Sequence, residues 1–241
     1  MLRTLFLALS LTACIVFAAA CGEEHAEMRF VHAVSDTGAV DVAVNGHTVV
    51  TNQAFATSSP GYASVTAGNR LVEVRPTGTT TDLVSAPSVP LSSHKQFTLF
   101  FEGLTSDHTQ SIVLVTDDNS APSNGGVKFR VMNAACKAIA TDACLGSPAP
   151  FRADIYIVSP GTNISSLSPA IPGLAYQQAS SYLNLSPASY EVIVTDPADA
   201  TKTPKVDETY NLAAGQVRTF TILSNTDGTI STTPLFLLDV H

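Results

Sequence analysis

The sequence predicts an all-β protein made of two tandem antiparallel β-sandwich domains that follow an N-terminal signal peptide. Three observations predict this fold class. Short alternating or β-branched runs recur at near-even spacing, turn residues separate them, and the same order of features appears twice. Charged residues make up 13% of the chain, about half the usual quarter. This composition argues against a disordered chain or a coiled coil, because both are rich in charge.

The individual strands are predicted from local pattern. Residues 29–33, 40–44 and 71–74 alternate between apolar and polar side chains or carry β-branched ones, as strands do. Turn residues such as Asn45-Gly46 and Pro60-Gly61 fall between these runs. Helical periodicity is almost absent.

The internal repeat sets the predicted domain boundaries. Six runs of the first half have counterparts later in the chain, and the offset grows because insertions separate the copies. The matched runs are 29–33 with 130–134, 40–44 with 153–157, 62–65 with 182–185, 72–74 with 192–194, 91–100 with 212–222 across a small gap, and 112–117 with 235–239. We therefore predict a first domain over 28–118, a linker over 119–126, and a second domain over 127–241.

Residues 1–20 are predicted to be a secretory signal peptide. Arg3 supplies the positive start, an apolar stretch follows, and small residues end it at Ala20. Cys21 comes next, which resembles a bacterial lipobox, the signal for cleavage before a cysteine that receives a diacylglycerol and a further acyl chain such as palmitate. Two or more acyl chains give stable anchoring. We expect a lipidated tether over 21–27, and outer-membrane delivery if the cell is Gram-negative, since position 22 is not aspartate.

Cys14 is the second candidate for lipidation. Its local match to a lipobox is slightly better, but cleavage there would leave an apolar start to the mature chain, Ile15-Val16-Phe17. We therefore favour Cys21. Cleavage by the ordinary signal peptidase after Ala20 also stays open, as does an uncleaved anchor, although the apolar run barely reaches the length needed to span a bilayer.

Cys136 and Cys144 lie in a loop-like insertion of the second copy. An exported chain meets oxidising conditions, so a local disulfide between them is expected. A metal site is the alternative. It is disfavoured because the spacing is not C-x-x-C and no histidine lies between the two cysteines.

Three segments carry a family resemblance. Residues 29–46 (R-F-V-H-A-V-S-D-T-G-A-V-D-V-A-V-N-G), 65–74 (V-T-A-G-N-R-L-V-E-V) and 113–122 (V-L-V-T-D-D-N-S-A-P) are similar to the domain-of-unknown-function 4397 family. The resemblance implies an exported bacterial protein, tandem copies, and an immunoglobulin-like or transthyretin-like sandwich. It covers the first copy well and the second more weakly. Since the family lacks an assigned activity, it implies no functional residues.

Four side chains are candidates to face a ligand. Tyr62 and Tyr182 occupy matching repeat positions and could offer stacking surfaces to a glycan or a protein. Asp117 and Asp118 end a strand and could supply oxygen ligands to calcium, although the D-x-D-x-D-G spacing is missing. The alternative interpretation is purely structural. The tyrosines then pack in the fold with hydrogen-bonded hydroxyls, and the aspartates form a polar turn.

No further feature predicts chemistry. The sequence contains no zinc-binding H-E-x-x-H, G-x-S-x-G or phosphate-loop motif, so we predict no catalytic residues, no metal site and no cofactor. His32 is expected to be a hydrogen-bonded strand histidine, and Asp41 with Asp154 a shared fold feature. An acidic chain with a net charge of −8 is a poor nucleic-acid binder.

These observations favour a lipid-anchored, non-enzymatic envelope protein that binds another protein or a surface glycan. The membrane is its predicted partner through the anchor. A carbohydrate- or calcium-binding surface module is the alternative, and a hydrolase is less favoured.

Overall fold

The computed structural model describes residues 23–137, 144–145 and 149–239. The predicted signal peptide and both lipidation candidates, Cys14 and Cys21, lie outside the described residues. Within the described part, no helix has the length and apolar character needed to cross a bilayer.

The described chain folds into two successive sets of nine strands, joined through a single 3-10 turn at Ser123–Gly125. We call residues 25–117 the first repeat and residues 127–239 the second repeat. The first repeat contains β1 (His25–His32), β2 (Val40–Val44), β3 (His47–Gln53), β4 (Thr57–Ser58), β5 (Ala63–Thr66), β6 (Gly68–Pro76), β7 (Val84–Leu91), β8 (Gln96–Glu102) and β9 (Ser111–Asp117). The second contains β10 (Val127–Asn133), β11 (Arg152–Val158), β12 (Ile171–Ala175), β13 (Gln178–Ala179), β14 (Leu183–Leu185), β15 (Ala188–Thr195), β16 (Val206–Leu212), β17 (Val217–Ile222) and β18 (Leu235–Leu238).

Each repeat forms one five-stranded and one four-stranded sheet with the same strand order. In the first repeat the orders are β4-β1-β8-β9, with β5 also on β1, and β3-β2-β6-β7. In the second they are β13-β10-β17-β18, with β14 also on β10, and β12-β11-β15-β16. The all-β sandwich class is confirmed, and the recurrence of strand order agrees with the internal repeat.

The sheets are not purely antiparallel. β1 pairs with β8, and β10 pairs with β17, in parallel, whereas the sequence predicted antiparallel sheets. Side-chain alternation shows which residues share a face but carries no information about the direction of a neighbouring strand. The intervening strands return the chain to the end where β1 began, so β8 runs alongside β1.

A hydrophobic core fills each sandwich. Val42 of β2, Val74 of β6 and Phe30 of β1 belong to the first core, which draws on both sheets of the first repeat. The second core is built in the same way from residues such as Ile155, Val194 and Phe220. These side chains occupy alternate strand positions, because successive residues of a strand point to opposite faces.

A third cluster joins the repeats. Val31 and Phe100 on the outer face of the first five-stranded sheet pack against Met132 and Leu237 on the outer face of the second. All seven residues of β10 are buried, which requires cover on both faces of its sheet. The protein therefore has four sheet layers, with the two five-stranded sheets in the middle. We call the contact between them the repeat interface.

Asp41 and Asp154 hold matching irregularities between neighbouring strands. The Oδ1 atom of Asp41 accepts the Asn52 N–H at 2.8 Å, and the Oδ1 atom of Asp154 accepts the Gly173 N–H at 2.7 Å. Asn52 and Gly173 both have positive φ, 51° and 56°, and both pairs of strands contain a register shift. The predicted shared fold feature is thus a bulge secured by a carboxylate.

Cys136 and Cys144 form the predicted disulfide. Both cysteines are buried and pack against Leu104 of the first repeat and Tyr176 of the second. The bridge therefore fixes the base of the second repeat's insertion against the neighbouring repeat.

The first strand begins inside the segment that the sequence predicts as a tether over 21–27. β1 begins at His25, and the segment His25 to Glu27 is already paired with residues 64–66 of β5. Backbone pairing with a neighbouring strand, which cannot be read from this polar stretch alone, extends the folded unit toward the N-terminus.

His32 predicts a pH dependence of stability. Its side chain is fully buried, Nδ1 accepts the Val34 N–H at 3.3 Å, and Nε2 lies 3.0 Å from the Gly38 carbonyl oxygen. Burial lowers the pKa of His32, so the folded state favours the neutral ring. The contribution of the neutral ring to the free energy of unfolding is fully present above the ordinary histidine pKa, about 6.5. It is lost as pH falls through the pKa of His32 in the folded state.

Asn133 stands at the matching position of the second repeat, where its Oδ1 atom accepts the Ala135 N–H at 3.2 Å. We expect His32→Asn to keep this capping bond and to lose stability less steeply than the wild type between pH 7 and 5. Urea unfolding across that range checks this, and equal slopes for the two proteins would contradict it.

Candidate functional site

The four predicted ligand-facing residues lie together at one edge of the repeat interface. Asp117 ends β9, Asp118 follows it, and Tyr62 and Tyr182 precede β5 and β14. The Tyr62 hydroxyl donates to Asp117 Oδ2 at 2.6 Å, and the Tyr182 hydroxyl lies 3.5 Å from Asp239 Oδ2. The structure therefore brings the predicted set together, but around partners within the chain.

Two buried arginines form crossed ion pairs between the repeats. Arg29 of β1 reaches Asp239 of the second repeat, with Nη2 at 2.8 Å from Oδ1. Arg130 of β10 reaches Asp117 of the first repeat through Nη2 and Oδ1. Both arginines and both carboxylates are almost completely shielded from solvent. Because each repeat supplies one arginine and one aspartate, the arrangement is nearly two-fold symmetric.

Threonines complete the same pattern. Thr98 donates to Asp117 Oδ2 at 2.7 Å and accepts from Arg29 Nη2 at 2.8 Å. Thr219 donates to Asp239 Oδ2 at 2.5 Å and accepts from Arg130 Nε at 2.9 Å. Buried charges are tolerated when they are paired and hydrogen-bonded, and here every arginine and aspartate has both kinds of partner.

The tyrosine rings cover the arginines. The Arg29 guanidinium lies 5.2 Å from the centre of the Tyr62 ring, and that of Arg130 lies 4.8 Å from the Tyr182 ring. Both distances are within cation–π range. We call Arg29, Arg130, Asp117 and Asp239, with these threonines and tyrosines, the crossed network.

The electrostatics of the crossed network favour fixed charges. Burial lowers the pKa of Arg29, but Asp239 and Asp117 outweigh that effect and raise it overall. Burial raises the pKa of Tyr62, and the Asp117 carboxylate beside it raises it further. Neither group therefore changes protonation near neutral pH. The network is suited to holding the repeats together and poorly suited to proton transfer.

Asp118 differs from Asp117 although they are neighbours. Its side chain is 59% exposed, and Lys128 Nζ lies 2.7 Å from Oδ2. The hydrogen bond from Lys128 is the main reason that the pKa of Asp118 falls to about 2. Asp118 lines a cleft of about 730 Å³ together with His25, His94 and Asp117. A ligand-facing role for the four residues stays a prediction.

Within the residues that the structure describes, no group of three or more histidine, cysteine, aspartate or glutamate side chains lies close enough to hold a metal ion. The carboxylate oxygens of Asp117 accept hydrogen bonds from Arg130, Thr98 and Tyr62.

The sequence-based reasoning missed Arg29, Arg130, Thr98, Thr219 and Asp239 as parts of this cluster. The signal was nevertheless present in the repeat. The run that begins with Arg29 matches the run that begins with Arg130, and the runs that end at Asp117 and Asp239 match each other. A charged residue inside an otherwise apolar strand, repeated in both copies, indicates a buried charge that meets a partner.

Comparison with protein families gives one match. The model of the family described as Domain of unknown function (DUF4397) matches residues 26–143. Residues 26–143 belong to the DUF4397 family. The match covers all nine strands of the first repeat and β10 of the second, so it includes Arg29, Asp117 and Arg130 of the crossed network. No curated protein matches the chain.

Solved structures show only distant likeness to this chain. The C-terminal domain of AlgF from P. aeruginosa is 12% identical, with a TM-score of 0.31, over 48% of this chain and 99% of that one. The Bacillus anthracis TIE protein is 10% identical, with a TM-score of 0.26, over 83% and 34%. A family CBM26 module from Eubacterium rectale Amy13K, solved with maltoheptaose, is 11% identical, with a TM-score of 0.24, over 87% and 97%.

Proposed function

We propose that this DUF4397 protein is a lipid-anchored, non-enzymatic binding module of the bacterial envelope. In this proposal Cys21 carries the anchor, and the loops at the opposite end of the two repeats bind a partner protein. The observation that supports it is the direction of the strands, which separates the molecule into an anchor end and a loop end.

Both repeats run in the same direction. β1 and β8 are parallel, as are β10 and β17, and the crossed network links β1 and β10 to the C-terminal ends of β18 and β9, respectively. The linker and His25, four residues after Cys21, lie at this end, which we call the proximal end. The loops that follow β1, β8, β10 and β17 lie at the distal end.

The distal loops of the two repeats are held against one another. Asp36 accepts the backbone N–H groups of Thr105 and Ser106, both at 2.8 Å. The Ser35 hydroxyl donates to the Asn225 carbonyl oxygen of the second repeat at 2.7 Å. Loops held by a rigid scaffold are common binding surfaces. Leu145, beside the disulfide, is 55% exposed there and offers an apolar contact.

A non-enzymatic role is supported by where the carboxylates lie. Asp117 and Asp239 are bound to arginines within the crossed network, and Asp36 is occupied by backbone N–H groups. A hydrolase needs polar groups that converge on a reacting atom in a cleft.

Photo-crosslinking in intact cells tests the proposal. A photoreactive residue is placed at the exposed distal positions Leu145 and Asp227, and at exposed Ser92 of the proximal end as the matched control. We expect one discrete protein adduct from the distal positions, none from Ser92, and loss of the adduct in Cys21→Ala.

Equal labelling from both ends would contradict distal binding. Retention on purified cell-wall glycan without a protein adduct would instead support a carbohydrate-binding module. Labelled fatty acid that still enters Cys21→Ala would contradict the anchor.

A further inference from the structure

Glu102 is a fully buried acid at the repeat interface. It lies at the end of β8, where alternation turns its side chain toward the repeat interface, like that of Phe100. The residue is fully buried, and within the described chain neither carboxylate oxygen has a hydrogen-bond partner. Burial raises the pKa of Glu102 well above its ordinary value, and the nearby Gln177 amide offsets this only in part. A buried acid without partners calls for an explanation.

A hydroxyl and an amide meet beside this acid. Ser111 of β9 is directly opposite Glu102 in the β8–β9 ladder, so their Cβ atoms lie about 5 Å apart on one face of the sheet. Gln177 comes from the turn between β12 and β13 of the second repeat. Its Nε2 atom lies 2.6 Å from Ser111 Oγ, the side-chain contact that joins the repeats here.

The backbone holds Gln177 in place. Its φ is +66°, a left-handed conformation that non-glycine residues seldom adopt, and its N–H donates to the Asn133 carbonyl oxygen at 2.9 Å. Positioning of this kind converts a reaction between two side chains into an effectively unimolecular one.

We propose that Ser111 and Gln177 form an ester cross-link between the two repeats, with Glu102 as the proton carrier. In the reaction Ser111 Oγ attacks Gln177 Cδ while the carbonyl oxygen of the protonated Glu102 carboxyl takes the hydroxyl proton. The C–N bond then breaks as the Glu102 hydroxyl gives its proton to the leaving nitrogen, and ammonia departs. One C–O bond forms, one C–N bond breaks, and Glu102 returns to its starting state.

The cross-link would join the two repeats covalently at the distal part of their interface, while the ion pairs of the crossed network join them at the proximal part. This inference does not depend on the proposed partner or on the anchor.

The first repeat supplies a matched control. Gln53 Nε2 contacts Thr57 Oγ1, which is also an amide–hydroxyl contact. It lies within one turn, and the Thr57 hydroxyl donates to the Ala54 carbonyl oxygen and not to an acid. We expect no ester there.

Peptide mapping of the full-length protein by mass spectrometry tests the proposal. We expect a linked pair of peptides containing Ser111 and Gln177, lighter by one ammonia than their sum. Hydroxylamine should release the pair and leave a hydroxamate on residue 177. Gln53 and Thr57 should appear in unlinked peptides of full mass.

Variants make the test specific. Ser111→Ala and Gln177→Ala should remove the linked species. Glu102→Gln keeps the side-chain shape and should slow its formation about a hundredfold, as the loss of a positioned proton carrier does. A fully folded wild type, verified by circular dichroism, whose Ser111 and Gln177 peptides are unlinked and of full mass would overturn the proposal.

Discussion

Replacing Asp117 by alanine is expected to destabilise the protein by about 3–5 kcal/mol, as breaking a buried ion pair does. The change leaves the Arg130 guanidinium buried without its carboxylate and removes the acceptor used by Thr98 and Tyr62. The melting temperature should fall by roughly 10 °C for a chain of this size. Urea unfolding followed by circular dichroism and tyrosine fluorescence measures it, since the chain has no tryptophan.

Asp118→Ala is the matched control, because it removes the adjacent carboxylate, which is 59% exposed and pairs with Lys128. An ion pair whose carboxylate stays largely in water contributes about 1 kcal/mol. If the two variants lost similar stability, the crossed network would not be the element that stabilises the repeat interface.

Replacing Phe100 by alanine is expected to cost about 3–5 kcal/mol, because a buried phenylalanine is lost and a cavity remains. Phe100 is fully buried between the repeats, in the cluster with Val31, Met132 and Leu237. The wild type should unfold in one calorimetric transition because the repeats share this interface. The variant should unfold in two transitions, since the repeats lose a large part of their mutual stabilisation.

Phe101→Ala is the matched control for this prediction. Phe101 is the next residue of β8 and is also fully buried, but it packs in the core of the first repeat. Phe101→Ala should destabilise the protein about as much as Phe100→Ala does, but the protein should still unfold in one calorimetric transition. Two transitions in both variants, or in neither, would contradict the assignment of Phe100 to the coupling of the repeats. The proposed ester would hold unfolded repeats together, so this experiment is also run in the Ser111→Ala background.

The sequence by itself predicted the all-β class, several of the strands and the internal repeat. Alternation at residues 40–44 and 71–74 predicts strands with one apolar face, and turn residues separate them. The recurrence of the run that starts with Arg29 in the run that starts with Arg130 predicts two copies of one unit. The spacing of Cys136 and Cys144 predicts a local disulfide, which the structure contains.

Only the tertiary structure decided what covers each face of a strand. A period of two shows that Arg29 and Val31 share a face, but it does not show that the face meets another repeat. For this reason the sequence could not show that Tyr62 and Asp117 contact each other, Thr98 and the arginines of the crossed network. The direction of β8 beside β1, and the meeting of Ser111 with Gln177 across the repeats, depend on pairing between residues far apart in the chain. Local pattern carries no information about such pairing, because it is fixed by how whole sheets pack.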